Sequence, residues 1–131
     1  MPGLTDAQAA FLREGHLGVL TTLRADGSPH STVLWVDALD GDVVVNTARG
    51  RAKERHLLID PRVSLTVFDE RDFQRWISVD GTATLVDEGA GAHIESLAVR
   101  YEEAVPFSSP RAGERRVIVR IAADRIDSKG C

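Results

Sequence analysis

The alternation of apolar and polar residues along most of the chain predicts β-strands. The clearest example is the segment 62–69, in which Val63, Leu65 and Val67 would face one side of a sheet and mostly polar residues the other. Turn signals, of which Asp26-Gly27 is the strongest, separate further segments of this kind. The pattern predicts six strands, at residues 16–23, 30–37, 42–47, 62–69, 73–86 and 114–127.

Three segments follow a helical pattern instead. Thr5 and Gln8 have the spacing of a capping box, which predicts a short helix as far as about Glu14. A second predicted helix covers residues 51–59 and is stopped by a proline. In the third, at residues 88–101, a single apolar stripe recurs at helical spacing, formed by Ala90, Ile94, Leu97, Ala98 and Tyr101.

The order of these elements indicates a fold that is mainly β, with peripheral helices. Most connections between strands are tight turns, so neighbouring strands should be antiparallel. Gly81 lies inside the long predicted strand at residues 73–86, where a glycine is typical of a bulge or bend. Six strands with one bent member close most easily into a small barrel. We therefore expect a single barrel domain, residues 1–131.

Composition and charge limit the possible partners. The net charge is −4, which provides no general basic field for nucleic acid. The chain has no long apolar run and no visible signal peptide, so no membrane association is expected. The single cysteine, Cys131, excludes an intramolecular disulfide and is compatible with a reducing compartment, so we expect a cytoplasmic protein.

One short basic segment interrupts this acidic chain. Arg49, Arg51, Lys53 and Arg55 follow the third predicted strand and begin the second helix. Backbone N–H groups at a helix start, together with clustered cations, form a good site for a phosphate group. The alternative interpretation is a basic helix face that is merely solvated, because charge runs usually are.

No catalytic motif accompanies this segment. The four histidines fall on different predicted elements without metal-ligand spacing, so no metal site is predicted. A G-x-S-x-G elbow, a G-x-G-x-x-G fingerprint and a Walker motif are all absent from the sequence. The protein should therefore either bind a molecule without catalysis or orient a cofactor that carries the chemistry.

A flavin-like cofactor would need a phosphate site, polar contacts and a flat wall. Arg51, Ala52 and Lys53, with their side chains and backbone N–H groups, are the candidates for the phosphate site. The candidates for the remaining contacts are Thr32, Asn46 and Thr47 as polar groups and Trp35 and Trp76 as walls. For the tryptophans, packing in the core or in a dimer is the alternative.

Several segments, in this order, carry a resemblance to a known family. The chain resembles the pyridoxamine 5′-phosphate oxidase-like split β-barrel superfamily through HLGVLTTL at 16–23, DGSPH at 26–30, TARGRAKERHL at 47–57, DPRVSL at 60–65 and WISVDGTA at 76–83. Within it, the chain is most similar to the short actinobacterial flavin/deazaflavin oxidoreductases of the B type, which include deazaflavin-dependent biliverdin reductases.

This resemblance implies a six-stranded antiparallel split β-barrel of the FMN-binding type. It also implies a homodimer with coenzyme F420 at the subunit interface. Arg51 and Lys53 would hold the F420 phosphate, residues like Asn46 and Thr47 would line that region, and Trp76 would approach from the second subunit. The activity implied is hydride transfer from the reduced deazaflavin to a conjugated small molecule, of which a tetrapyrrole such as biliverdin is an example.

Three alternatives remain at the level of the sequence. The first is an FMN-dependent oxidase or reductase on the same fold, because a phosphate site suits both cofactors. The second is a non-enzymatic module that binds a flavin, a deazaflavin or a tetrapyrrole. The third is a barrel whose basic helix is only solvated. Synthesis of pyridoxal phosphate is disfavoured, because the longer C-terminal segment of the true oxidases has no counterpart before Cys131.

Overall fold

Seven strands and three helices make up the part of the chain that the computed structural model describes, residues 3–102 and 113–131. In chain order they are α1 (Asp6–Leu12), β1 (Leu17–Leu23), β2 (Pro29–Trp35), β3 (Asp37–Leu39), β4 (Asp42–Ala48), α2 (Ala52–Ile59), β5 (Arg62–Asp69), β6 (Asp72–Val86), α3 (Ala90–Arg100) and β7 (Arg116–Lys129).

The strands form one curled antiparallel sheet in the order β2-β1-β5-β6-β7-β4-β3. This confirms the prediction of a mainly β, split-barrel fold with peripheral helices. Apolar residues at alternate strand positions form the core on the inner face of the curled sheet. Examples that are 1% exposed or less are Leu20, Leu65, Ile77 and Val119. The described helices have seven, eight and eleven residues, and none is long and apolar enough to cross a membrane.

The predicted count of six strands was wrong by one, because the chain breaks at Val36. The N–H of Val36 donates to the hydroxyl oxygen of Tyr101 at 2.9 Å, instead of to a carbonyl oxygen of a neighbouring strand. This bond satisfies the backbone at the point where the chain leaves β2. The next residues form β3, which pairs with β4 instead of continuing the pairing with β1.

The bend predicted at Gly81 is confirmed. The register between β6 and β7 shifts between Asp80 and Gly81. A Cβ atom at position 81 would lie 2.3 Å from the carbonyl oxygen of Ala122, so only glycine permits this approach of the two strands. The two long strands can therefore curl together around the core.

Local signals set the helix starts. Thr5 and Gln8 form the predicted capping box, with bonds of 3.1 and 2.9 Å in the two directions. Helix α2 begins after a turn through Gly50, whose φ is +88°, and ends before Pro61. This turn brings the basic segment directly to the end of β4.

Candidate functional site

A cavity of about 330 Å³ opens where β2, β4, β7 and the start of α2 meet α3. This volume lies at the lower end of the range of small-molecule sites. One end of its wall is charged and polar, and the other is apolar. The lining residues are Leu17, Val33, Leu34, Trp35, Asn46, Thr47, Arg51, Lys53, Ile94, Leu97 and Arg116.

Three cations line the polar end of the cavity. Arg51 donates to Glu114 at 2.9 Å, and Arg116 donates to the other oxygen of the same carboxylate at 2.6 Å. Lys53 makes no hydrogen bond or ion pair with any residue that the structure describes. In the described part of the chain, three cations and one carboxylate meet at this end of the cavity, and this excess of positive charge suits a phosphate group.

The ammonium group of Lys53 is electrostatically unfavourable in the absence of an anion. Burial lowers the pKa of Lys53, and the charges of Arg51 and Arg116 lower it further. A bound anion would reverse this effect, because it would stabilise the charged form of all three side chains.

Helix α2 adds its backbone to this site. Arg51 is the N-cap residue and forms no side-chain cap, so it does not satisfy the N–H groups of the first turn. The positive end of the helix dipole therefore lies beside the cations. The two other arginines of the basic segment are used elsewhere: Arg49 pairs with Asp87 and Glu54, and Arg55 donates to the carbonyl oxygen of Gly50.

Thr47 presents a buried hydroxyl group at the same end. The residue is 1% exposed, it lines the cavity, and its Oγ1 has no hydrogen-bond partner among the described residues. Leaving such a group unpaired is costly, so native proteins seldom do so without a ligand or water at the site. The hydroxyl group of Thr47 and the cations together fit a phosphate-bearing cofactor.

Asn46 also lines the cavity, and its amide group is fully engaged by protein groups. Its amide nitrogen donates to the carbonyl oxygen of Ala90 and to Nδ1 of His93, both at 3.0 Å. Its amide oxygen accepts from Nε of Arg116 at 2.9 Å. The residue therefore contributes to the polar wall while its own hydrogen-bonding groups hold neighbouring residues.

The flat side of the cavity is formed by Trp35. Its ring stacks on Tyr101, with centroids 5.2 Å apart and an angle of 14° between the planes. The rest of the apolar part is formed by Leu17 of β1, Val33 and Leu34 of β2, and Ile94 and Leu97 of α3. A planar, conjugated ring system would match this wall.

Comparison with known proteins agrees with this geometry. A family model described as pyridoxamine 5′-phosphate oxidase matches residues 4–130. The chain belongs to the pyridoxamine 5′-phosphate oxidase family. This confirms the superfamily indicated by the sequence motifs.

Three relatives illustrate the range within this family. An F420H2-dependent biliverdin reductase of Mycobacterium tuberculosis is 31% identical over 123 residues, which are 94% of this chain and 86% of that protein. The structure of a conserved hypothetical protein of M. tuberculosis has 30% identity and a TM-score of 0.75, covering 96% of this chain and 84% of that one. An F420 reductase structure has a TM-score of 0.82 over 95% and 98% of the two chains; at 22% identity it supports the fold alone.

Of the eight residues predicted to bind a cofactor, the structure brings five to the cavity of this family member. They are Trp35, Asn46, Thr47, Arg51 and Lys53.

Thr32, Ala52 and Trp76 do not line this cavity. The Oγ1 atom of Thr32 is buried and has no hydrogen-bond partner among the described residues, and Ala52 is the first residue of α2. Trp76 lies on β6, opposite Phe68, so the prediction that it approaches a cofactor from a second subunit stays a prediction. The sequence also predicts that a loop at residues 105–113 lines an acceptor pocket, and residues 105–112 of this loop lie outside the described part of the chain.

Sequence reasoning missed Arg116. Its position, one residue before the buried Val117 at the start of the last strand, carries no local signal of function. Only the pairing of β4 with β7, in which Ala48 lies opposite Arg116, brings it to the basic segment.

A second charged cluster lies away from the cavity and has a structural explanation. Nε2 of His16 lies 2.8 Å from Glu14 and Nδ1 lies 3.0 Å from Glu70, while Arg75 bridges Glu14 and Asp69. Glu14, His16 and Asp69 have potential metal-ligand atoms within 4.8 Å of one another. Because both ring nitrogens face carboxylates and Arg75 supplies a cation, ion pairs account for this arrangement without a metal.

Proposed function

We propose that this protein is an F420-dependent reductase that transfers a hydride to a conjugated small-molecule acceptor. The observation that carries the proposal is the cationic end of the cavity. There, beside two arginines, lie the ammonium group of Lys53 and the hydroxyl group of Thr47, neither of which has a partner among the described residues. The relative named F420H2-dependent biliverdin reductase supports F420 as the cofactor and a tetrapyrrole as one acceptor to test.

The side chains at the cavity would bind the cofactor, orient it and shield it from water. Arg51, Lys53 and the first turn of α2 would hold the phosphate of the cofactor, and Thr47 would donate its hydroxyl hydrogen to it. Trp35 would lie against the ring system. When bound in its reduced form, F420 supplies the hydride. The chain itself then contributes proximity, orientation and exclusion of water from the reacting faces.

An FMN-dependent oxidoreductase is the second candidate. The phosphate of FMN would present a comparable charge to Lys53 and its neighbours, so the phosphate site itself favours neither cofactor. The preference for F420 is supported by the relative alone. A non-enzymatic binding module would use the same phosphate site but would catalyse no reaction with any acceptor.

We further propose a homodimer that forms through the outer face of β2, β1, β5 and β6. Leu17 lies opposite Trp35, and Phe68 lies opposite Trp76. The pair of Gly18 with Val67 aligns Leu17 with Phe68, so these four side chains form one row across the sheet. The row is apolar and partly exposed, with Leu17 39% and Phe68 40% accessible, and it begins at the cavity wall.

A second copy on this face would bury the row and bring Trp76 towards the partner's cavity. The predicted contact between Trp76 and a cofactor across the interface depends on this arrangement. If the protein is a monomer, this predicted contact of Trp76 is wrong.

Two titrations and one assay test the proposed function. The purified protein is titrated with F420 and, separately, with FMN, while tryptophan fluorescence is recorded. The chain has only two tryptophans, so Trp35→Phe and Trp76→Phe variants assign the quenching to one ring. Reduced F420 is then mixed with biliverdin and other conjugated acceptors, and its reoxidation is followed by absorbance.

Each result has a distinct meaning. Tight F420 binding with turnover of an acceptor supports the reductase, and tight binding of FMN alone moves the function to a flavin enzyme. Binding of F420 without turnover of any acceptor supports the binding module. Binding of neither cofactor leaves a solvated basic helix and rejects the proposed function.

A further inference from the structure

The hydrogen bonds of Asn46 indicate a role different from the one predicted from the sequence. Both N–H bonds of its amide group are used, one by the carbonyl oxygen of Ala90 and one by His93. The amide oxygen faces Arg116. Because its donors are committed to protein acceptors and the residue is 8% exposed, Asn46 has no N–H left to offer a cofactor.

His93 sets the direction of this amide. Nδ1 of His93 accepts from Asn46, so the ring proton is on Nε2, which lies 3.1 Å from Asp37. A ring with this tautomer can face only the nitrogen of the Asn46 amide. The oxygen of that amide must then point to Arg116.

Asp37 anchors the other end of the arrangement. Its second carboxylate oxygen accepts from Arg100 at 2.9 Å. Burial raises the pKa of Asp37, but the hydrogen bonds from His93 and Arg100 outweigh it and lower the pKa to about 2. The carboxylate is thus ionised at neutral pH and holds the Nε2–H tautomer of His93.

We propose that His93 acts through Asn46 to hold the Arg116 guanidinium group at the cavity wall, so that Asn46 positions a cation instead of binding the cofactor itself. Asn46 and Glu114 then both hold Arg116, at 2.9 and 2.6 Å. The importance of this for cofactor affinity rests on the proposed function, because it takes the cavity to be the phosphate site.

His93 belongs to α3 and is not a lining residue of the cavity, which makes it a good place for a test. His93→Leu removes the acceptor for Asn46 and the donor for Asp37. His93→Gln retains both, since an amide oxygen can accept and an amide nitrogen can donate. Ser96→Ala is the matched control in the same helix, because the Ser96 hydroxyl group donates locally, to the carbonyl oxygen of His93, and to no other described residue.

The first measurement is F420 affinity in a double-mutant cycle with Arg116→Met. We expect His93→Leu to weaken binding roughly tenfold, which is about 1.4 kcal/mol, and His93→Gln and Ser96→Ala to change it less than about threefold. In the Arg116→Met background the effect of His93→Leu should fall below about twofold, because its target is gone. An equal loss in both backgrounds, or failure of His93→Gln to restore binding, would overturn the proposal.

The second measurement needs no ligand. The chain has only two lysines, Lys53 and Lys129, so the ammonium group of Lys53 can be titrated by NMR on lysine-labelled protein with Lys129 as the internal reference. If Arg116 moves away in His93→Leu, the pKa of Lys53 should rise towards its ordinary value, as it should in Arg116→Met. His93→Gln should leave the titration unchanged.

The two measurements separate the two hypotheses. If the wild-type protein binds neither F420 nor FMN, the proposed function fails, while the Lys53 titration still decides whether His93 positions Arg116. A Lys53 titration in a folded His93→Leu variant that matches the wild type would overturn the positioning role, whatever the protein binds.

Discussion

The Tyr101 ring stacks on Trp35 at the cavity wall while its hydroxyl group donates to the carbonyl oxygen of His16 at 2.7 Å. The same hydroxyl oxygen accepts the N–H of Val36 at 2.9 Å, at the break between β2 and β3. One side chain thus joins the end of α3, the start of β1 and the wall of the candidate site. Two variants separate its contributions.

Tyr101→Phe should keep the stack and lose the hydrogen bonds. We expect the free energy of unfolding to fall by about 1–3 kcal/mol, because the N–H of Val36 is left without its partner. Cofactor affinity should change little. Tyr101→Ala should reduce both quantities, because Trp35 then loses its support. Urea unfolding and fluorescence titration measure the two; equal affinity losses in both variants would contradict a separate role for the ring.

Thr47→Val should act in opposite directions on stability and on binding. The buried hydroxyl group has no partner in the described part of the chain, so its removal should leave the stability of the unliganded protein unchanged or raise it by up to about 1 kcal/mol. Loss of the hydroxyl donor should weaken F420 binding by about 1–1.5 kcal/mol. Thr47→Ser is the control that keeps the hydroxyl group. A variant that is less stable but binds normally would show that Thr47 serves the fold only.

Lys53→Ala should weaken cofactor binding by about 1.5–3 kcal/mol, the scale of a hydrogen bond to a charged group. The stability of the unliganded protein should not decrease, because burial and two neighbouring arginines already disfavour the Lys53 charge. Lys129→Ala, on β7, is the matched control. Calorimetric titration measures the affinity, and an unchanged value would remove Lys53 from the site.

His16 should make stability depend on pH. Burial lowers the pKa of His16, but the hydrogen bonds to Glu70 and Glu14 outweigh it, and the net shift is upward. Because the pKa of His16 is higher in the folded than in the unfolded state, protonated His16 stabilises the fold. This stabilisation is complete below the unfolded-state pKa of about 6.5 and is lost as the pH rises through the folded-state pKa.

The corresponding measurement compares the wild type with His16→Gln by urea unfolding across this pH range. We expect the wild type to be more stable at low pH, by on the order of 1 kcal/mol, and the difference to shrink as pH rises. Asp69, Arg71, Arg75 and the carboxylates of Glu14 and Glu70 also surround the ring, and they are unchanged in both proteins. A difference that grows with pH would refute the prediction.

The proposed dimer should be sensitive to charge on the outer row. Phe68→Asp should shift the protein from dimer to monomer, since an unpaired buried charge costs about 3–5 kcal/mol. Val99→Asp places the same charge on an exposed residue of α3 and is the control. Sedimentation velocity gives the mass of each. A wild-type monomer, or a Phe68→Asp variant that remains dimeric, would exclude this interface.

The sequence determined the features that depend on neighbouring residues. The capping box at Thr5, the start of α2 beside Lys53 and the bend at Gly81 are set by interactions within a few positions or by the absence of a side chain. Alternation of apolar residues fixed which face of each strand is buried, because a strand has a period of two. The motifs in their order indicated the family.

The tertiary structure decided which distant residues meet. Arg116 reaches Asn46 because β4 pairs with β7. Tyr101, at the C-terminal end of α3, accepts the N–H of Val36 directly after β2. No local preference encodes such contacts, since strand pairing and register depend on how the whole core packs. For the same reason, only the structure distinguished Lys53 from Arg49. Lys53 lines the cavity without an ion-pair partner in the described ranges, whereas Asp87 and Glu54 neutralise Arg49.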